Sequence, residues 1–135
     1  MMKNAAEVLE FDKLREILRL RTTCAPGRRA IERLEFRRDC VALEKEFALI
    51  REAREWLREG RELGFGALSD PESWLAKLEG PGAVLEPAEF LDAASLLETS
   101  GWLRGQFREH AAEFPLLAAR SAEVGDFRDV LAAIR

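Results

Sequence analysis

The sequence predicts an all-α fold, a multi-helix bundle of about five to seven helices, on three observations. Cys40, Leu43, Phe47, Ile50, Ala53 and Leu57 recur at steps of three or four, which sets them on one helical face. Tyrosine is absent and β-branched residues are scarce, so a large sheet has little to be built from. Prolines and glycines fall mostly between the periodic segments, where they punctuate helices instead of interrupting them. Apolar residues at 47% and charged residues at 34% exclude a disordered chain. At 135 residues, a single helical domain spanning 1–135 with a core of its own is expected.

The first helix is expected from near Leu9 to about Leu20. Phe11, Leu14, Ile17 and Leu18 form its inner stripe, with Lys13, Arg15, Glu16 and Arg19 in water. Thr22, Thr23 and Ala25-Pro26-Gly27 break it, because proline cannot continue the ladder. Pro26 then suits the first turn of a short second helix to Leu34, with Ala30, Ile31 and Leu34 inward.

The long central helix runs from Asp39, a side chain able to accept the first free backbone N–H groups, to Gly60, which can turn left-handed past the end. Ala42, Leu49 and Trp56 widen its apolar stripe on one side, and Glu44, Lys45, Glu52, Glu55 and Glu59 cover the opposite side. So wide an arc belongs to a helix packed on a core.

A glycine-spaced loop follows, Leu63-Gly64-Phe65-Gly66-Ala67-Leu68, with apolar residues suited to burial. Ser69 or Asp70 before Pro71 opens another helix, with Trp74, Leu75 and Leu78 as its stripe, and Gly80-Pro81-Gly82 stops it. The second long helix starts at Pro87 and continues to about 112 through Gly101 and Gly105, continuous but weakened by each glycine by about 1 kcal/mol. Phe114-Pro115 ends it, and short helices at Leu116–Ala122 and Asp126–Ile134 complete the order. The expected core includes Phe11, Leu18, Leu43, Phe47, Ile50, Leu57, Trp74 and Leu103. Because the last amphipathic pattern is still running at Arg135, the chain is expected to be a piece of something longer.

No residue constellation predicts catalysis. His110 is the only histidine, and Cys24 and Cys40 are too isolated for a metal site, so no metal is expected. Nothing resembles a nucleophile elbow or a G-x-x-x-x-G-K-[ST] phosphate loop, so the chain itself is expected to hold no cofactor and no catalytic residue. No apolar run approaches the roughly 20 residues that span a bilayer, so no membrane partner is expected. With no export signal and two reduced thiols, the expected compartment is cytoplasmic.

One cluster has binding potential: Arg28, Arg29, Arg33, Arg37 and Arg38. Arg29 and Arg33 are four apart on one face and suit phosphates. Glu32, Glu35 and Asp39 are interleaved, which favours the plainer reading, a solvated face with local ion pairs. Residues 1–61 carry +3 and residues 62–135 carry −7, so any polyanion would meet the first half.

Two stretches resemble a known family. Leu9-Glu10-Phe11-Asp12-Lys13, followed by a Leu/Ile-rich helix, is similar to the opening of the MutS-II family. Gly80-Pro81-Gly82-Ala83-Val84-Leu85 followed by Pro87-x-Glu89-Phe90-Leu91-x-x-Ala94 resembles that family's G-G-V-L-x-P-x-E-L-L-x-I signature. The element order between them agrees as well. Pro81 or Ala83 stands where the family often has a second glycine, and Glu86 where it often has a Ser or Asp cap.

The resemblance implies the N-terminal helical core segment of a long, cytoplasmic, dimeric ATPase. Such a parent continues into levers and clamp arms, then a P-loop ATPase using ATP and Mg, and commonly a carboxy-terminal Smr nuclease domain. It implies partners too: the remaining domains of the parent chain, and DNA or a ribosome gripped by the full-length dimer, in suppressing recombination or rescuing collided ribosomes with rRNA contact. No catalytic position carries over. Two alternatives remain open from the residues alone, a stand-alone helical interaction module and a weak nucleic-acid-binding domain.

Overall fold

The structure, a computed structural model, describes residues 10–66 and 68–134. Leu9, where the first helix was expected to begin, lies outside them. The described residues form seven helices and no strand: α1 Phe11–Arg21, α2 Ala25–Glu32, α3 Cys40–Arg58, α4 Glu72–Leu78, α5 Pro87–Glu109, α6 Pro115–Ala122 and α7 Arg128–Ile134. The fold is all-α, as the patterning predicts.

Local chemistry sets most of the boundaries. The Asp39 carboxylate accepts the N–H groups of Val41 and Ala42 at 3.0 and 3.1 Å and so opens α3. Gly60, with φ of 79°, turns the chain out of it. Asp70 accepts the Glu72 N–H at 3.1 Å before α4. At the start of α5 the Glu89 carboxylate reaches back to the Glu86 N–H at 2.9 Å, the returning half of a capping box. That helix runs unbroken through Gly101 and Gly105, and a Cβ added at either would meet nothing within 4 Å. Neither glycine is therefore there to admit a neighbouring backbone.

Helices α3, α5 and α6 meet at Trp56, which is 1% exposed. Phe107 and Phe114 present their rings edge-on to it at 4.9 and 5.2 Å, and Leu103 and Leu117 complete the cluster. The indole N–H donates to the Glu62 carbonyl at 3.1 Å, and the Arg61 guanidinium lies 4.7 Å over the indole and 5.3 Å over Phe114. Glu52 binds the same helices together differently. From the middle of α3 its carboxylate accepts the N–H groups of Leu116 and Leu117, both at 2.9 Å, capping an α6 whose own N-cap residue, Phe114, offers no acceptor side chain. A second cluster joins Trp74, Leu85 and Ala93, with Leu96 packed against it, and α7 lies on α5.

Three of the expected core residues are open. Phe47, Ile50 and Leu57 are 54%, 56% and 51% exposed, and Phe11, Leu18 and Leu43 are only half-buried; Trp74 and Leu103 are buried as expected. The apolar arc of α3 is wider than one neighbouring helix can cover. Helix α6 meets the side carrying Leu49, Ala53 and Trp56, and the other side stays in water. Glu52, expected on the solvated side, is half-buried as the cap described above. Helices α1 and α2 pack on each other, yet neither contains a buried residue, so Leu14 and Ile17 are exposed as well.

The accessible surface measures this openness. It totals 10504 Å², whereas a closed monomer of 15.3 kDa exposes about 7,100 Å². Residues 1–9, 67 and 135, outside the described residues, could account for at most about 1,800 Å² of the difference, the surface of fully extended chain of that mass. An excess of about 1,600 Å² remains.

Candidate functional site

The five arginines singled out in the sequence do not form one face. Arg28 and Arg29 lie on α2, Arg33 ends it, and Arg37 and Arg38 stand in the connection to α3. Arg29 turns inward, where its guanidinium bridges the carboxylates of Asp70 and Glu72. Arg33 joins Glu72 at 3.0 Å. Arg37 approaches Glu46 at 3.9 Å in the open, while Arg28 and Arg38 are exposed and have no ion-pair partner among the described residues. The expected solvated face with local ion pairs is thus half right. Ion pairs form, but Arg29 and Arg33 reach acids some forty residues away and Arg37 approaches Glu46, none of them the interleaved Glu32, Glu35 or Asp39.

The geometry makes a latch. The α1–α2 hairpin has no buried side chain, and the Ala25 N–H donates to the Leu68 carbonyl at 3.3 Å just ahead of the Asp70–Glu72 carboxylates. Asp70 therefore serves twice, capping α4 with one oxygen and holding Arg29 with the other. The sequence shows the cap through the Ser69-Asp70-Pro71 start signal. It gives no sign of the distant arginine.

A groove of about 390 Å³ between α5 and α7 was not anticipated. Gly101 and Gly105 leave its floor open, and Trp102, Arg104, Arg108 and Phe127 are among its walls. Its charges largely cancel. Arg128 binds Asp126 at 2.6 Å, and that hydrogen bond holds the Asp126 carboxyl well below its usual range, at about 2. A lining of mixed sign with exposed aromatic edges selects no particular ligand.

Among the described residues no group of three or more His, Cys, Asp or Glu converges on a metal position. His110 stands edge-on to Trp56 at 5.5 Å and 3.6 Å from Glu113. Cys40, expected among apolar neighbours on the stripe, is exposed, and Cys24 is half-buried; both are free thiols. No helix is long and apolar enough to cross a membrane among the described residues.

Comparison with known proteins decides what the geometry leaves open. No protein-family model matches the chain, and neither does any solved structure. Among curated proteins it is 31% identical over 135 residues to the Endonuclease MutS2 of Symbiobacterium thermophilum, covering 100% of this chain. The chain is MutS2-like from end to end. It is also 28% identical over 127 residues to the Endonuclease MutS2 of Bacillus velezensis and 28% identical over 141 residues to that of Exiguobacterium sibiricum, covering 92% and 100% of the chain. The resemblance drawn from the two sequence motifs is therefore borne out. The MutS2-like chain spans only 16% to 18% of the length of these relatives.

Proposed function

We propose that this chain is the N-terminal structural core segment of a MutS2-like ATPase, itself non-catalytic, within a cytoplasmic dimer that clamps DNA or ribosomes. One observation carries the reading: a match along the whole chain that takes up only 17% of a relative named an endonuclease. The excess surface supports it, because a helical block that leaves about 1,600 Å² uncovered suits a part that packs against further structure. In the parent, ATP, Mg and nuclease chemistry belong to other domains, and this block transmits movement as a rigid body between nucleotide state and clamp position.

The chain's own grip on nucleic acid is weak in this reading. Arg29 and Arg33 are engaged with Asp70 and Glu72, which leaves Arg28, Arg37 and Arg38 for phosphate. Neutralising two or three charges gives a slope of log affinity against log salt near −2 to −3. The test is a titration of labelled duplex, branched DNA and structured RNA at low and physiological salt, alongside ATPase and nuclease assays of the same preparation. Weak binding that disappears at physiological salt, with no turnover of ATP or nucleic acid, is expected. Submicromolar binding at physiological salt, or turnover above the buffer blank, would overturn the structural-block reading.

A further inference from the structure

We propose that the open face of α3 docks against the same face of a second copy of this chain, with the two helices antiparallel. Leu43, Phe47, Ile50, Arg54 and Leu57 follow one another at steps of four, three, four and three, the seam spacing of paired helices. Helix α6 covers a different side of α3, and among the described residues Phe47, Ile50 and Leu57 on this seam are each more than half exposed.

The charges beside the seam select the occupant. Glu44 and Glu46 border its first half, and Arg51, Arg54 and Arg58 its second half. Arg51 and Arg54 have no ion-pair partner within 4 Å among the described residues; Arg58 pairs with Glu55 at 2.7 Å and Glu46 only loosely with Arg37 at 3.9 Å. A face acidic at one end and basic at the other complements itself when the second copy runs the opposite way. A two-fold axis between Phe47 and Ile50 places Phe47 against the partner's Ile50 and Glu44 beside the partner's Arg51, and each contact occurs twice. A parallel pair fails on the same residues, since it stacks Arg54 on the partner's Arg54 inside the seam. The antiparallel pair instead lays the Arg54 stem along the partner's Leu43 and brings its charge towards the partner's Glu44.

The size of the contact sets its strength. Helix α3 has 19 residues, a strip about 28 Å long and about 10 Å wide. That footprint is well below the roughly 800 Å² per partner of a stable complex. The association is consequently of the weak, transient class and concentration-dependent.

Sedimentation equilibrium of the 135-residue chain up to about 500 µM tests the proposal. A monomer–dimer equilibrium is expected, and Phe47→Glu should leave a monomer with an unchanged far-ultraviolet circular dichroism spectrum. Glu44→Arg and Arg51→Glu should each weaken the dimer about fivefold, while the double substitution returns it to within about twofold of the original. That recovery is beyond the reach of mere misfolding. A monomeric mass at the highest concentration, a dimer indifferent to Phe47→Glu, or a double substitution no tighter than the single ones would each overturn the proposal.

Discussion

Replacing Arg29 with alanine should open the α1–α2 hairpin while leaving the rest of the helical body in place. Arg29 contributes the two ion pairs to Asp70 and Glu72, and Arg33 adds another to Glu72 at 3.0 Å. The Arg29 and Asp70 side chains are both 32% exposed and Glu72 is 45% exposed, so charge-assisted bonds here must be discounted for solvent screening. About 1–2 kcal/mol for the pair of contacts is a reasonable total. Against a core that sum would be minor, but the hairpin buries no side chain to back it up. Local opening free energies of such segments are small, so a loss of this size multiplies the open population roughly 5- to 30-fold. Native-state hydrogen exchange resolves the effect. Amides within α1 and α2 should exchange faster by that factor, and those of α5 around Leu103 and Phe107 should not change. Arg29→Glu, which sets a third negative charge beside Asp70 and Glu72, should open the hairpin further, whereas the exposed Arg28→Ala should do nothing. Unchanged exchange in α1 and α2, or equal acceleration in α5, would refute the reasoning.

Further outcomes follow from the same structure. Trp56→Ala should destabilise the fold by about 3–5 kcal/mol in urea unfolding, whereas Phe47→Ala, on the exposed side of α3, should cost less than about 1 kcal/mol at protein concentrations where the chain is monomeric. Glu52→Ala should cost about 0.5–2 kcal/mol, the worth of a helix cap, and Glu52→Gln, which keeps an acceptor, should cost less in the same measurement. Stability should also fall in acid. The Lys77 hydrogen bond, and after it the Glu86 N–H, hold the Glu89 carboxyl below its usual range, and Arg128 holds Asp126 at about 2. Depressed carboxylates contribute fully above their unfolded values and lose that contribution as pH falls through the folded ones, so thermal melts should weaken between about pH 4 and pH 2. Lys77→Met should flatten the upper part of that decline.

Most of the fold was legible because its signals are local. Asp39 and Gly60 bound α3, Pro87 opens α5, and Gly80-Pro81-Gly82 separates α4 from it, all within a few residues of the boundary each determines. The choice of buried face was not local. Periodicity shows that α3 has an apolar arc, but the part that enters the core depends on where α6 arrives, and α6 is held there by Glu52 across more than sixty residues. A glutamate on an apparently solvated helix side carries no mark of such a role. The left-handed turn at Gly60 could be anticipated from its place after the last periodic residue. The open groove above Gly101 and Gly105 could not, since the two glycines showed only a continuous but weakened helix and nothing of what lies over it.

The charge asymmetry of the chain takes on a different meaning once the pairs are known. A first half at +3 and a second at −7 suggested a polyanion facing the arginines. In the structure the basic half meets the acidic half of its own chain. Arg29 and Arg33 bind Asp70 and Glu72, and Arg61 reaches Glu113 at 3.5 Å while it stacks on Trp56 and Phe114. The Arg29 and Arg33 pairs draw together segments that share little buried apolar surface, and they are directional where hydrophobic contact is not. They are also screened by salt. The hairpin should therefore loosen as ionic strength rises, while the Trp56 cluster should hold. A single salt titration would thus separate the two kinds of joint in one chain: the exchange rates of α1 and α2 should climb with salt, and those of α5 should stay level. Parallel behaviour would mean that the hairpin is held by something other than its charges.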